Sequence, residues 1–142
     1  MVDYPSRPSN IDENRGPRCG AHRDFGTITI IFPDDTSGLE VLLDEKKEVW
    51  RPLDVSSGSA ILLFGWCANI RSNDRVPAAL HRVVDAPGQN GIVPRRMSAV
   101  FFVAPSSNTA LSPNLMFEVM NFILKSKVRV QLNRTRFHAN YK

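Results

Sequence analysis

The segment from residue 22 to residue 35 reads His22-Arg23-Asp24-Phe25-Gly26-Thr27-Ile28-Thr29-Ile30-Ile31-Phe32-Pro33-Asp34-Asp35. A polar start is followed by an uninterrupted run of β-branched and aromatic residues, and Pro33 and two aspartates end that run. β-Branched and aromatic residues are enriched in strands, whereas proline and aspartate favour turns. The segment therefore predicts a β-strand with polar side chains where it begins.

Similar runs recur through the first 106 residues. Predicted strands lie at 18–23, 27–32, 39–43, 48–53, 59–65, 80–85 and 97–104, with turn residues between them. Because no helical pattern separates these runs, the sequence predicts an all-β sandwich or barrel. After Pro105, Ser112-Pro113 is typical of a helix start, and an apolar stripe from Leu115 to Ile123 predicts a C-terminal α-helix packed outside the β body.

The composition suits one globular domain. The chain has 142 residues, of which 42% are hydrophobic, and it contains no apolar run near the roughly 20 residues that a membrane helix needs. Cys19 and Cys67 are too few for a disulfide scaffold or a four-thiolate zinc site. We therefore expect a cytoplasmic protein in a reducing compartment, without membrane association.

The net charge of +4 is unevenly distributed. Residues 119–142 hold six basic and no acidic residues, so residues 1–118 carry a net charge of −2. The basic balance is thus a property of the C-terminal tail and does not favour nucleic-acid binding by the body. Anion or nucleic-acid binding through residues 125–142 stays open as a weaker alternative.

Three residues have the chemistry of a metal site. Residues i and i+2 of an extended segment point to the same side, so His22 and Asp24 can face one ion. Alone, this pair is more often a polar pair at a strand end. His81, at the start of another predicted strand, completes two histidines and one carboxylate, the ligand set of non-haem Fe(II) oxygenases. A structural zinc would prefer four protein ligands.

Arg96 and Ser98 share one face of the longest predicted strand by period-two alternation. An arginine at the inward start of an apolar strand is costly unless an anion neutralises it. Together with the hydroxyl, it would form a fork for a carboxylate. The alternative is an ion pair with an acid of the same chain.

The order of these motifs resembles the isopenicillin N synthase-like family of Fe(II)- and 2-oxoglutarate-dependent oxygenases. The resemblance covers roughly residues 2–106 and rests on residues 20–29, Gly38-Leu39-Glu40-Val41, Trp50, Ser72-Asn73-Asp74, His81-Arg82-Val83-Val84, Arg96-Met97-Ser98 and Phe101-Phe102. It implies a double-stranded β-helix, or jelly roll, with His22, Asp24 and His81 as iron ligands. It also implies that Arg96 and Ser98 hold the distal carboxylate of 2-oxoglutarate.

The resemblance implies two further roles and an activity. Tyr4 resembles the tyrosine of a Tyr-Pro pair that reaches the cosubstrate or the substrate, and Phe102 matches an aromatic residue of the substrate pocket. The implied activity uses Fe(II), 2-oxoglutarate and O2 to oxidise a small organic molecule, by hydroxylation in most cases, and releases succinate and CO2. The alternative is an inactive metal-binding jelly-roll fragment or interaction module.

The chain also departs from the family pattern. Trp66 stands where the family usually has aspartate, which affects local packing or the shape of the pocket. The first jelly-roll strand would end at Tyr4, so we expect residues 1–106 to form a jelly roll that is incomplete at its first strand and lacks the family's N-terminal helical region. Residues 107–142 would form the C-terminal helix and basic tail.

Overall fold

The computed structural model describes residues 1–9, 15–53 and 58–113. Its elements are β1 (Val2–Tyr4), β2 (Arg7–Pro8), β3 (Cys19–His22), β4 (Ile28–Pro33), β5 (Leu39–Asp44), β6 (Val49–Pro52), β7 (Ile61–Phe64), α1 (Trp66–Arg71), β8 (His81–Val83), β9 (Ile92–Val93) and β10 (Arg96–Val103). The predicted C-terminal helix and the basic tail lie outside the described residues. Within the described ranges, no helix is long and apolar enough to cross a bilayer.

Eight of the strands form two antiparallel four-stranded sheets. The first sheet has the order β1-β10-β4-β7 and the second the order β3-β8-β5-β6, while β2 and β9 form a separate ribbon. This architecture confirms the prediction of an all-β jelly roll. The first strand spans three residues, and Val2 to Tyr4 pair with Ser98 to Arg96 of β10.

The hydrophobic core lies between the two sheets. Its central cluster joins Ile31 of β4, Leu39 of β5, Ile61 and Leu63 of β7, and Val83 of β8, all nearly inaccessible to solvent. Each such side chain contributes roughly 1.5–3 kcal/mol by leaving water. These inward residues alternate with more exposed ones along their strands, so the strand period of two determines which face packs.

Helix α1 was not predicted from the sequence, and it holds the loop that follows β3. The backbone N–H groups of Gly65, Trp66 and Cys67 donate to the carbonyls of Thr27 (3.1 Å), Asp24 (2.8 Å) and Phe25 (3.1 Å). These N–H groups at the start of a helix have no partner within the helix, so the loop satisfies them. The contact is close: a Cβ atom on Gly65 would lie 2.6 Å from the Asp24 carbonyl oxygen.

Arg18 fastens the end of β1 to the rest of the body. Its guanidinium donates to the carbonyls of Tyr4 (3.0 Å) and Pro5 (2.9 Å) and to the Asp85 carboxylate (2.7 Å). Its side chain is 4% exposed, and Asp85 also binds Arg7 of β2. A buried arginine side chain imposes geometry on its partners because its donors form a rigid fork. Arg18 therefore fixes the position of Tyr4.

Candidate metal centre

The structure brings His22, Asp24 and His81 together. One ligating atom from each lies within 4.8 Å of the other two. His22 ends β3 and pairs in register with His81 of β8, which sets the two rings side by side with centroids 4.3 Å apart. The Asp24 Oδ1 atom lies 3.6 Å from His22 Nε2 and 3.9 Å from His81 Nε2. Three good metal ligands thus converge on one point.

Backbone carbonyls orient both imidazole rings. His22 Nδ1 lies 2.8 Å from the Gly20 carbonyl, and His81 Nδ1 lies 3.0 Å from the Ala79 carbonyl. Because a carbonyl oxygen accepts and cannot donate, each Nδ1 carries a proton, and in the neutral ring Nε2 then keeps its lone pair. Burial lowers the pKa of His81, which favours the neutral ring. Both rings therefore present a metal-binding nitrogen toward Asp24.

Thr29 orients the carboxylate. Its side-chain hydroxyl donates to Asp24 Oδ2, and both residues are buried. The bond satisfies one carboxylate oxygen and leaves Oδ1 facing the two histidines. Thr29 was not assigned a role from the sequence. Its place on the inward face of the strand that follows Asp24 is the signal that could have identified it.

Replacing Thr29 by valine removes the hydroxyl at nearly constant volume. Losing an outer-shell partner of a metal ligand typically costs about 10–100-fold in metal affinity, and we expect that loss here. Calorimetric titration of the chain with Mn(II), a redox-stable divalent probe, measures it. Thr29→Ser keeps the hydroxyl and is expected to retain most of the affinity. Wild-type affinity in Thr29→Val would show that the bond does not orient Asp24.

A cavity of about 170 Å³ opens beside the three residues. Arg96 and Ser98 line it, both are buried, and an Arg96 terminal nitrogen lies 3.4 Å from Ser98 Oγ. Within the described part of the chain, the Arg96 Nε atom has no hydrogen-bond partner. None of the ion pairs among the described residues includes Arg96. A buried guanidinium with an unused donor is suited to an incoming carboxylate.

The two remaining predicted residues also line the cavity. Tyr4 lies opposite Arg96 in the pairing of β1 with β10, and burial raises the pKa of its hydroxyl. Phe102 belongs to the lining but is 66% exposed, which places it at the opening. Cys19, which was not assigned to the site from the sequence, lines the same cavity with its sulfur 3.8 Å from His22 Nδ1.

Trp66, the residue that departs from the pattern implied by the resemblance, has a defined place in the fold. It is the first residue of α1, it is 43% exposed, and the Arg23 guanidinium lies 5.5 Å from its ring centroid. Trp66 is absent from the described residues that line the cavity. Its side chain therefore belongs to the start of the helix and to the surface next to Arg23.

Comparison with known proteins places these observations in a family. Residues 2–105 match the model of the 2OG-Fe(II) oxygenase superfamily. The chain is 34% identical over 102 residues to the 2-oxoglutarate-Fe(II) type oxidoreductase hxnY of Emericella nidulans. The matched segment covers 72% of this chain and 28% of hxnY. It is 35% identical over 101 residues to a 2-oxoglutarate-Fe(II) type oxidoreductase of Aspergillus fumigatus, covering 71% of this chain and 28% of that protein.

Solved structures give the same result. A full-length Neurospora crassa protein crystallised in complex with alpha-KG superposes with a TM-score of 0.70 at 27% identity, covering 78% of this chain and 37% of that chain. The auxin-oxidising dioxygenase of Arabidopsis thaliana, bound to 2-oxoglutarate, superposes with a TM-score of 0.65 at 26% identity, covering 78% of this chain and 39% of that chain. The chain therefore spans well under half the length of these relatives. It belongs to the 2OG-Fe(II) oxygenase superfamily.

Proposed function

We propose that this chain is the catalytic part of an Fe(II)- and 2-oxoglutarate-dependent dioxygenase. It would oxidise a small organic molecule, by hydroxylation, and release succinate and CO2. One observation carries the proposal: two histidine nitrogens and one carboxylate oxygen converge beside a cavity that also holds a buried arginine, which forms no ion pair with any described residue. Membership in the superfamily supports it independently.

The donor set fits Fe(II). His22, Asp24 and His81 supply two neutral nitrogens and one oxygen, which suits a non-haem iron with positions left for small molecules. A structural zinc site would be closed by a fourth protein ligand, and the metal-type cluster found in the described residues has three members. We therefore assign the three residues as the iron ligands.

The bound iron would supply the activation of O2, coupled to oxidative decarboxylation of 2-oxoglutarate. The protein's own residues would orient the cosubstrate and shield it from water. Arg96 and Ser98 would bind the far carboxylate of the cosubstrate, and Tyr4 would border it. Phe102 would contact the substrate at the opening. The apolar remainder of the lining limits the access of water, which strengthens the interaction between Arg96 and the carboxylate.

Relatives support a small organic substrate. The Neurospora crassa protein has also been crystallised with thymine and with 5-formyluracil, each together with alpha-KG. A relative from Petromyces alliaceus is a proline hydroxylase. It is 34% identical over 96 residues, which cover 66% of this chain and 30% of that protein. These molecules differ in chemistry, so the proposal extends to the class of small organic substrates and not to one compound.

The proposal is tested by incubating the purified chain with Fe(II), 2-oxoglutarate and air and quantifying succinate. We expect succinate that requires both Fe(II) and 2-oxoglutarate and that increases when a substrate from a panel of small organic molecules is present. An inactive jelly-roll module would bind Fe(II) and 2-oxoglutarate but form no succinate, and that outcome would contradict the proposal.

Arg96→Lys tests the cosubstrate site separately. A bidentate fork becomes a single point charge, so we expect the Kd for 2-oxoglutarate to rise about tenfold or more while the Kd for Mn(II) stays unchanged. Calorimetric titration under anaerobic conditions measures both. Arg95→Lys is the matched control, because Arg95 is the adjacent residue and its exposed side chain binds Asp3 at 2.8 Å. Equal 2-oxoglutarate affinities in the two variants would remove the role given to Arg96.

A further inference from the structure

The pairing of β4 with β10 ends on an unusual pair, Asp34 and Met97. The last ladder partners are Pro33 and Ser98. One residue beyond, the Asp34 N–H donates to the Met97 carbonyl at 2.9 Å, and the Met97 N–H donates to Asp34 Oδ2 at 2.6 Å. In a regular antiparallel pair, the second bond would go to a backbone carbonyl. Here a side-chain carboxylate takes its place.

The Asp34 carboxylate is held at both oxygens. Its Oδ1 atom accepts the Thr36 N–H at 2.9 Å, which is the bond of a local turn built on an aspartate. The chain can therefore turn away from the sheet directly after β4, while Met97 stays fixed to that turn. Hydrogen bonds to an ionised carboxylate are about twice as strong as neutral ones, so this attachment is firm.

Met97 lies between the two residues assigned to the far carboxylate of 2-oxoglutarate. Because strand side chains alternate, fixing the backbone at Met97 directs both Arg96 and Ser98 toward the main cavity. Asp34 also lines a second cavity, of about 200 Å³, together with Arg96. Burial lowers the pKa of Arg96, and the negative charge of Asp34 opposes that change most strongly.

We propose that Asp34 is a positioning residue for the cosubstrate site. It fixes the start of β10 so that the Arg96 and Ser98 side chains are preorganised for a carboxylate. The inference rests on the proposed function, since it takes Arg96 and Ser98 as the 2-oxoglutarate contacts. Asp34 itself is not among the described residues that line the main cavity.

The test compares three variants of the full chain. Asp34→Ala removes both side-chain bonds and the charge, Asp34→Asn keeps one acceptor oxygen without the charge, and Asp35→Ala changes the neighbouring exposed acid as the matched control. Two quantities are measured anaerobically by calorimetry: the Kd for Mn(II), and the Kd for 2-oxoglutarate with Mn(II) present. Hydrogen exchange at the Met97 amide reports the bond directly.

We expect Asp34→Ala to raise the 2-oxoglutarate Kd about tenfold, to leave the Mn(II) Kd within about twofold, and to expose the Met97 amide to exchange. Asp34→Asn should show an intermediate Kd, and Asp35→Ala should match the wild type. If Asp34→Ala loses Met97 protection but binds 2-oxoglutarate normally, or if both Asp34 variants weaken Mn(II) and 2-oxoglutarate equally, the inference is wrong. A wild-type chain that binds Mn(II) but no 2-oxoglutarate contradicts the proposed function itself.

Discussion

Asp24→Ala is expected to abolish stoichiometric metal binding. The variant removes the oxygen that faces both histidine Nε2 atoms at 3.6 and 3.9 Å, and it leaves Thr29 without its buried acceptor. Loss of an outer-shell partner alone typically costs about 10–100-fold in affinity, so loss of the ligand itself should exceed that. His22→Ala and His81→Ala should behave alike, because two ligands do not retain the ion.

Metal content after equilibration with Fe(II) under anaerobic conditions, together with Mn(II) calorimetry, measures this effect. The remaining histidine of the chain, His138, supplies the control: His138→Ala changes the histidine count equally and should bind metal as the wild type does. Near-ultraviolet circular dichroism establishes that each variant is folded. Full-affinity binding in folded Asp24→Ala would exclude the three-residue site.

Gly65→Ala is expected to cause the largest loss of stability. The added methyl group would lie 2.6 Å from the Asp24 carbonyl oxygen and closer still to that of Gly26, and both are backbone atoms without freedom to rotate away. The start of α1 must then move off the 24–27 loop and lose the bonds that its N–H groups donate there. Overpacking and lost hydrogen bonds together should cost about 3 kcal/mol or more in the free energy of unfolding.

Urea denaturation measures that cost. Gly16→Ala is the control, since a methyl group there meets no atom within 4 Å and should change the free energy of unfolding by less than about 1 kcal/mol. Because the same loop carries Asp24, Mn(II) affinity should fall in Gly65→Ala at temperatures where the variant remains folded. A denaturation midpoint equal to that of the wild type would show that the helix start and the loop are not in tight contact.

Much of the fold could be predicted because runs of β-branched and aromatic residues, bounded by turn residues, mark the strands in the sequence. The run at 27–32 appears as Ile28–Pro33, and the run at 97–104 appears as Arg96–Val103. Helix α1 could not be predicted in this way, because six residues are too few to show a helical period. Its start is stabilised by carbonyls of a loop about 40 positions earlier in the sequence. The strands β2 and β9 were not predicted either, because two residues are too few to show a strand pattern.

The candidate site was predictable to the extent that it depends on side-chain identity. Histidine, aspartate and arginine are uncommon next to apolar runs, so the positions of His22, Asp24, His81 and Arg96 are informative. The carbonyls of Gly20 and Ala79, which orient the imidazoles, could not be predicted from residue type. Every residue has a carbonyl, and only the folded backbone determines which one lies within hydrogen-bond distance. Thr29 and Asp34 act through hydrogen-bond geometry, which residue type alone does not reveal.

A crystal structure of the chain grown anaerobically with Mn(II) and 2-oxoglutarate tests the central claim most directly. We expect one metal ion bound by His22 Nε2, Asp24 and His81 Nε2, with the keto-acid end of 2-oxoglutarate on the metal and its far carboxylate on Arg96 and Ser98. A metal ion held by other residues would contradict this assignment. So would 2-oxoglutarate bound away from Arg96.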